Sequence, residues 1–223
     1  MSTGDLALRR EIIAACLQLE AWGHVIGTYG NVSVRIPGGL LITPSRVDYH
    51  VVQPEDIVAV SLEGQVTAGT RLPSSELQVH LQIYLHRPEV GAVVHAHSLY
   101  ATALSCLHGN VPVIVEEQSQ VVGSEIRCTR YVPAGQHREL GVEVAATLGE
   151  SMAVLLANHG TVSCGRTLAE ALLTCQVVER VAQMHLLTSV AGSAIPIPPE
   201  FVASERARWL YRYGKAEDGA GSS

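Results

Sequence analysis

The sequence Gly91-Ala92-Val93-Val94-His95-Ala96-His97-Ser98 is a short apolar run that leads into two histidines two residues apart. An apolar run of this kind after a glycine predicts a buried β-strand. Because alternate side chains of a strand project from the same face, we expect the imidazoles of His95 and His97 to lie side by side. A second apolar run, residues 153–157, leads to His159. If the two strands are neighbours in a sheet, three imidazoles converge.

Three histidines in this arrangement indicate a metal site. Three nitrogen ligands with one open position form the usual catalytic arrangement around zinc. The alternative is a pair of hydrogen-bonded histidines at a strand end and an unrelated third. The sequence Pro73-Ser74-Ser75-Glu76 favours the metal site, because it adds a carboxylate and two hydroxyls at the start of a predicted helix.

Length and composition limit the class of protein. The 223 residues suit one sizeable domain, and the 47% hydrophobic and 16% charged residues predict a globular chain. The net charge of −6 gives no basic surface for nucleic acid. No apolar run approaches the roughly 20 residues of a membrane span, and the polar residues 1–10 do not resemble a signal peptide. We therefore expect no membrane partner. Because the five cysteines include no CxxC pair, we also expect a reduced, cytoplasmic protein.

Apolar periodicity predicts a mixture of helices and strands. Helical spacing predicts helices over residues 5–22, 74–86, 100–107, 138–148, 167–190 and 199–213, with a capping box at Thr167 and Glu170. Apolar runs and alternation predict strands over residues 32–36, 40–43, 57–62, 65–67, 91–97 and 153–157. Since no repeat or linker interrupts the chain, we interpret residues 1–215 as a single α/β domain. The polar residues 216–223 are predicted to be a disordered tail.

Four separated parts of the chain form an ordered set of motifs. They are GTYGN at 27–31, ITPS at 42–45, PSSE at 73–76, and HAHS at 95–98 together with NHG at 158–160. In this order they resemble the class II aldolase/adducin family, and the likeness runs from about residue 8 to about residue 214. No single motif is decisive, but the ordered set is specific.

The resemblance implies a fold, an assembly and a metal site. It implies a three-layer α/β/α fold with a central, largely antiparallel sheet, and a homotetramer with active sites between subunits. It also implies one Zn²⁺ per subunit, or another divalent metal, held by His95, His97 and His159. Glu76 matches the residue that is a fourth ligand in the empty site and an acid/base when substrate displaces it.

The resemblance further implies a sugar phosphate as substrate. The matching substrate-binding residues are Gly30, Asn31, Thr43, Ser45, Arg46, Ser74 and Ser75. Hydroxyls and free N–H groups at a predicted helix start favour a phosphate dianion. For the two serines taken without the histidines, plain N-capping is the stronger interpretation.

The chemistry of aldol cleavage explains these residue types. Breaking a C–C bond beside a carbonyl leaves an enediolate, whose charge a divalent metal stabilises as a Lewis acid. The carbon must then be protonated, and a glutamate with a raised pKa suits that role. We therefore expect a zinc-dependent aldolase that splits a phosphorylated ketose into dihydroxyacetone phosphate and an aldehyde.

Two departures from the family pattern bear on this prediction. In similar aldolases a tyrosine of the neighbouring subunit transfers the proton at the oxygen of the departing aldehyde, and the matching position here is near Glu116, or Glu117 if the register slips. The alternative is that both glutamates form an exposed charged turn. Arg46 replaces a small residue, usually glycine, and either adds a bidentate grip on an anion or shrinks the pocket. Tyr213 matches a tail tyrosine that closes the site.

Other functions remain open at this point. Sugar-phosphate epimerases, thioribulose-phosphate dehydratases and tetronate-phosphate decarboxylases share the three histidines, and an adducin-like interaction module would need no catalysis. The retained histidines and Glu76 argue against the interaction module. The remaining histidines are expected to pack in the core or face solvent, namely His24, His50, His80, His86, His108, His137 and His185.

Overall fold

The computed structural model describes residues 3–133 and 135–212. The helices of this part of the chain are α1 (Thr3–Ala21), α2 (Leu77–His86), α3 (Leu99–Ser105), α4 (His137–Leu148), α5 (Leu168–Ala191) and α6 (Pro199–Tyr211). The strands are β1 (Gly30–Ile36), β2 (Gly39–Ile42), β3 (Val58–Ser61), β4 (Val66–Ala68), β5 (Ala92–Ala96), β6 (Arg127–Cys128), β7 (Ala153–Leu156) and β8 (Gly160–Gly165). A 3₁₀ turn, Pro54–Asp56, and a π-helical turn, Gln118–Val122, complete the regular structure of these ranges.

All these strands belong to one sheet with the order β4-β3-β2-β1-β5-β8-β7-β6. Neighbours are antiparallel except β6 and β7, which are parallel. The predicted hairpins β1–β2 and β3–β4 are confirmed. The histidine strand β5 lies between β1 and β8. The strand before His159 is β7, and it is not the direct neighbour of β5 that the sequence left as a condition; β8, which follows His159, lies between the two.

Helices cover both faces of the sheet, which confirms the α/β fold and its three layers. Along β2 the side chains alternate: Leu40 and Ile42 pack in the cluster that contains Tyr84 of α2, whereas Leu41 packs in the cluster that contains Leu19 of α1. The first cluster also includes α4, and α3 and α5 cover the second face together with α1. Because both faces are buried, the central strands are apolar on both sides.

Helix boundaries follow local capping. At α5 the Thr167 hydroxyl accepts the backbone N–H of Glu170, which is one half of the predicted capping box. The Glu170 carboxylate accepts from the backbone N–H and guanidinium of Arg166 instead of bonding back to Thr167. Helix α2 begins at Leu77, later than the predicted residue 74, because the N–H of Glu76 donates to the Ser74 hydroxyl in a preceding turn. Within the described ranges, no helix is both long and apolar enough to span a membrane.

The chain end departs from the predicted pattern. The last helix, predicted over 199–213, ends at Tyr211. Tyr213 and the predicted tail at 216–223 lie outside the described residues. The boundary of the domain at residue 215 therefore stays a prediction.

Candidate metal centre and active site

The register of β1 against β5 places the first polar side chains of the site. Asn31 lies directly opposite His95, and Gly30 lies opposite Ala96. A Cβ atom on Gly30 would lie 2.4 Å from a methyl group of Val25 and 3.1 Å from the carbonyl oxygen of His95. Glycine is therefore required here for close packing of the strands, and Asn31 and His95 project together at the edge of the cleft.

The ring of His95 is fixed through its Nδ1. It is 1% exposed, and its Nδ1 lies 3.0 Å from the carbonyl oxygen of Thr161 on β8. Because a carbonyl only accepts, Nδ1 carries the proton and Nε2 presents a lone pair to the cluster. That Nε2 lies 2.9 Å from Nε2 of His97. Burial lowers the pKa of His95, so the ring is a neutral, ligand-competent imidazole.

His97 follows the last residue of β5 and is anchored through its backbone. Its N–H donates to the carbonyl of His24 over 2.9 Å, and its ring lies 6.0 Å from the ring of Tyr29, centroid to centroid. Burial, and then the charges of His95 and His159, lower the pKa of His97 to about 3. His97 is therefore neutral at physiological pH, as a metal ligand must be.

The turn between β7 and β8 presents His159. Asn158 has φ 55°, a left-handed conformation that asparagine tolerates better than most residues. Its N–H donates to the carbonyl of Ser105, and its Oδ1 accepts from Nε2 of His108 at 2.5 Å. A Cβ atom on Gly160 would lie 2.5 Å from the carbonyl oxygen of Ala96. The Asn-His-Gly sequence thus suits a tight turn pressed against β5.

Glu76 joins the histidines from the turn before α2. One carboxylate oxygen lies 3.0 Å from Nε2 of His95, and the other lies 3.2 Å from Nε2 of His159. Asn31 Nδ2 donates to the same carboxylate over 2.8 Å. Burial raises the pKa of Glu76, but the charges that His95 and His159 carry when protonated at low pH, together with the hydrogen bonds from His159 and Asn31, outweigh it and hold the pKa well below the usual range. The raised pKa expected of Glu76 as an acid stays a prediction for the loaded site.

The three histidines can hold one metal ion. Their ligand atoms all lie within 4.8 Å of one another, and their ring centroids are 4.8 to 4.9 Å apart. The donor set of three imidazoles and one carboxylate suits a divalent transition metal such as zinc. The predicted convergence of His95, His97 and His159 is present, with Glu76 beside them.

The histidines open into a cleft of about 940 Å³. Of the predicted site residues, those that line it are Gly30, Asn31, Ser45, Arg46, Ser74, Ser75, Glu76, His97 and His159. Thr28, Tyr29 and Asn158 also line it, as do Tyr131, Gln136 and His137 of the segment that leads into α4. A cleft of this volume accommodates a small phosphorylated sugar.

Two loops are joined where the predicted phosphate site lies. The Ser45 N–H donates to the carbonyl of Leu72, and the Ser74 N–H donates to the carbonyl of Thr43. Thr43 itself is 2% exposed, and its hydroxyl lies 3.3 Å from the Val32 N–H. Thr43 is not among the residues that line the cleft, and its place in the phosphate site stays a prediction.

Arg46 occupies a left-handed backbone conformation, with φ 57°. A side chain in this region costs about 1–2 kcal/mol, which explains why a glycine suits the position. The side chain is exposed and lines the cleft. Arg46 is thus the cationic residue of the joined loops.

The predicted second proton donors, which were expected to act in the site of a neighbouring subunit, lie away from this chain's own cleft. Glu116 and Glu117 are exposed, and neither lines the cleft within the described part of the chain. They precede the π-helical turn Gln118–Val122, which the sequence did not predict. Tyr213 lies outside the described residues.

Two histidines and one tyrosine at or beside the site were not predicted from the sequence. His80 is fully buried and hydrogen-bonded to Asn31, and Tyr131 and His137 line the cleft. The spacing of Glu76 and His80, four residues apart, could have indicated that the two lie on the same side of α2. No comparable sequence signal marks Tyr131 or His137.

Proteins similar to this chain are class II aldolases. A family model described as the Class II Aldolase and Adducin N-terminal domain matches residues 10–186. The L-fuculose phosphate aldolase of Haemophilus influenzae is 41% identical over 190 residues, which cover 85% of this chain and 87% of the relative. A 5-methylthioribulose-1-phosphate/5-deoxyribulose-1-phosphate aldolase of Rhodospirillum rubrum is 39% identical over 185 residues, 83% of each chain.

A solved structure of an L-fuculose 1-phosphate aldolase has a TM-score of 0.89 and 32% identity, with 95% of this chain and 99% of that chain covered. These comparisons confirm the predicted fold and the prediction of an enzyme, a class II aldolase of the carbon–carbon lyase type. The chain belongs to the class II aldolase and adducin family.

Proposed function

We propose that this protein is a zinc-dependent aldolase that cleaves a phosphorylated ketose, similar to L-fuculose 1-phosphate, into dihydroxyacetone phosphate and an aldehyde. The observation that carries the proposal is the convergence of His95, His97 and His159 within 4.8 Å of one another at the edge of a cleft. The names of the relatives support a ketose 1-phosphate, either fuculose phosphate or a 5-deoxy or 5-methylthio ribulose phosphate.

His95, His97 and His159 would hold the metal, with Glu76 as a further ligand in the absence of substrate. When bound, the metal acts as a Lewis acid that stabilises negative charge on the substrate oxygens beside the broken bond. Zinc is the proposed metal because neutral imidazoles and a carboxylate are its usual ligands in catalytic sites.

Glu76 is the proposed acid/base. Cleavage removes a proton from the hydroxyl of the departing carbon, breaks the adjacent C–C bond and leaves an enediolate on the phosphorylated fragment. The carbon at the broken bond then takes up a proton. Glu76 is ionised in this arrangement, so it begins as an acceptor and returns a proton only after it has gained one.

The joined loops form the proposed phosphate site. Asn31, Ser45, Ser74 and Ser75 supply hydrogen-bonding groups, and Arg46 supplies a positive charge beside them. An ionised phosphate prefers such a combination of hydroxyls, amides and a guanidinium. Gly30 allows β1 to approach the His95 carbonyl of β5 closely. The Thr43 carbonyl accepts the Ser74 N–H and so helps to join the two loops.

Glu116 or Glu117 is proposed to enter the site of a neighbouring subunit as the second proton donor or acceptor. The exposure of both residues supports this role, since an exposed carboxylate is available to another chain. Tyr213 is proposed to close the same site. The assembly is proposed to be a homotetramer, and the cytoplasmic location stays a prediction.

An aldol-cleavage assay tests the reaction. The purified protein is stripped with a chelator, reloaded with Zn²⁺, Co²⁺ or Mn²⁺, and mixed with L-fuculose 1-phosphate or 5-deoxyribulose 1-phosphate. We expect dihydroxyacetone phosphate to appear only with metal, measured by coupled reduction with NADH. Metal-dependent conversion to an epimer, a dehydrated sugar or carbon dioxide, followed by NMR, would replace the aldolase with another reaction on the same fold.

Mixed oligomers test the shared site. Glu116→Gln and His97→Ala chains, each expected to be inactive alone, should regain activity when co-assembled, because some interfaces then carry both intact groups. The matched control mixes His97→Ala with Glu76→Gln, which leaves every histidine cluster defective and should restore nothing. The cross is repeated with Glu117→Gln. An active monomer, or no rescue from either cross in confirmed mixed oligomers, would mean that the site is built within one chain.

A further inference from the structure

A line of buried polar side chains extends from Glu76 into the core, between α2 and the sheet. Asn31 Nδ2 lies 2.8 Å from Glu76, and Asn31 Oδ1 lies 2.5 Å from Nε2 of His80. Nδ1 of His80 lies 2.6 Å from the Ser33 hydroxyl, which lies 2.8 Å from the hydroxyl of Tyr84. His80, Ser33 and Tyr84 are at most 1% exposed. None of these three has a part in the proposed chemistry.

The direction of every hydrogen bond in this line follows from the carboxylate. An ionised Glu76 only accepts, so the amide nitrogen of Asn31 faces it and the amide oxygen faces His80. That oxygen also only accepts, so Nε2 of His80 carries the proton. Burial, and then the charge of His95, lower the pKa of His80 to about 3, so the ring is neutral and its Nδ1 accepts.

The rest of the line is oriented in the same way. Since Nδ1 of His80 accepts, the Ser33 hydroxyl donates to it, and the remaining bond to Ser33 comes from the Tyr84 hydroxyl. The tautomer of His80 and the orientation of the Asn31 amide are therefore determined together. If the amide turned over, its oxygen would face the carboxylate and its nitrogen would face a protonated ring nitrogen, and both contacts would be repulsive.

We propose that His80 is a positioning residue for the reaction: its Nε2–H holds the Asn31 amide so that Nδ2 donates to Glu76 and sets the orientation of that carboxylate. This inference rests on the proposed role of Glu76. His80 contacts neither the cleft nor the substrate. It acts through Asn31, as a hydrogen-bonded partner behind a catalytic group usually does.

The test is a double-mutant cycle on turnover. His80→Phe keeps an aromatic ring but removes both nitrogens, and we expect kcat to fall roughly 10-fold, the scale of such supporting contacts. KM for the phosphorylated ketose should stay within about threefold, since the ring does not reach the cleft. His80→Gln, whose amide keeps one N–H donor, should recover most of the loss. In an Asn31→Ala background, His80→Phe should lower kcat no further, because the partner is gone.

Other results would overturn the proposal. An equal loss in both backgrounds would mean a general structural role, and so would a loss that His80→Gln does not restore. Unchanged kcat in folded His80→Phe would remove the role altogether. If His80→Phe does not fold, Ser33→Ala replaces it in the same cycle, because it removes the hydrogen-bond partner at the other ring nitrogen of His80. The same non-additivity is then required.

Two controls separate this proposal from the proposed function. His86→Phe changes an exposed histidine of the same helix and should leave kcat unchanged. Glu76→Gln is measured in parallel with L-fuculose 1-phosphate. Near-normal turnover in Glu76→Gln would overturn the role of Glu76 itself. An impaired Glu76→Gln beside a normal His80→Phe would overturn only the positioning role.

Discussion

His95 and Arg46 lie on the same cleft under different constraints. His95 sits on a central strand, is 1% exposed and has its ring fixed by the hydrogen bond from Nδ1 to the Thr161 carbonyl. Arg46 sits on an exposed loop and has a left-handed backbone. The histidine cluster (His95, His97, His159 and Glu76) thus depends on strand pairing, whereas the cleft rim (Ser45, Arg46 and Ser75) depends on two joined loops.

This difference in support suggests that the histidine cluster carries the chemistry and the cleft rim selects the substrate. Groups that must keep their mutual distances are best held by rigid elements, and the histidine cluster is held by β5, the β7–β8 turn and the turn before α2. Loops tolerate substitution, so the rim can change its anion grip without disturbing the sheet. We therefore expect changes in the histidine cluster to abolish the reaction and changes in the rim to alter which substrates are used.

The largest effect should come from His95→Ala combined with His97→Ala. Loss of two ligands removes the metal and with it several kcal/mol of charge stabilisation, so turnover should fall at least ~10³-fold. Elemental analysis and the cleavage assay measure both losses, with His86→Ala as the exposed control. Stoichiometric metal in the double variant would contradict the ligand assignment.

Glu76→Gln should separate metal binding from proton transfer. The amide keeps the shape of the side chain, so the fold and most of the metal should remain, while kcat falls by roughly 10² to 10⁴. Metal content and steady-state kinetics are measured on one preparation. Near-normal turnover would assign proton transfer to another group.

Ser75→Ala should test the rim. A hydroxyl that donates to an ionised phosphate contributes about 1.5–3 kcal/mol, so kcat/KM for the phosphorylated ketose should fall roughly 10- to 100-fold. The dephosphorylated ketose serves as the control substrate and should lose little. An equal loss for both substrates would mean that this pocket does not bind phosphate.

The acid stability of the protein should report on the core behind the histidine cluster. The pKa of His80 is lowered to about 3 in the folded protein, from 6.5. Between these values the unfolded chain binds a proton that the folded chain does not, so the free energy of unfolding falls as pH falls below 6.5. His80→Gln should flatten this slope by up to about 1.4 kcal/mol per pH unit.

Urea unfolding at a series of pH values checks the slope. His86→Gln on the same helix is the control and should follow the parent protein. A slope in His80→Gln equal to that of the parent would show that the buried imidazole does not carry this pH dependence.

Arg46→Gly should have the smallest effect. Removing an exposed cation weakens the binding of an anion by about 1 kcal/mol at most. KM for the phosphorylated ketose should therefore rise about fivefold or less. Glycine suits the left-handed backbone, so the thermal midpoint should not fall. A lower midpoint with unchanged KM would mean that Arg46 stabilises the loop and does not bind anions.

Some parts of the fold left little sequence signal. Strand β6 has only two residues, too few to show alternation. The π-helical turn depends on Gln118, whose buried amide donates to the carbonyls of Val111 and Ser124. Hydrogen bonds from a side chain to carbonyls six or seven residues away follow no periodic sequence pattern, so the sequence did not predict this turn. The pairing of β5 with β8 was missed because it joins strands that are distant in sequence.

From the sequence alone we could predict the alternation of the strands, the approximate starts and ends of most helices, the three histidines and the serine–glutamate motif beside them. These depend on local spacing and residue type, which the chain carries wherever it folds. Only packing in three dimensions brings the Thr43 hydroxyl to the Val32 backbone, Glu76 to His95 and His159, and His80 behind Asn31. Each of these depends on which atoms from distant segments meet in a buried space, and burial and charge proximity exist only after packing.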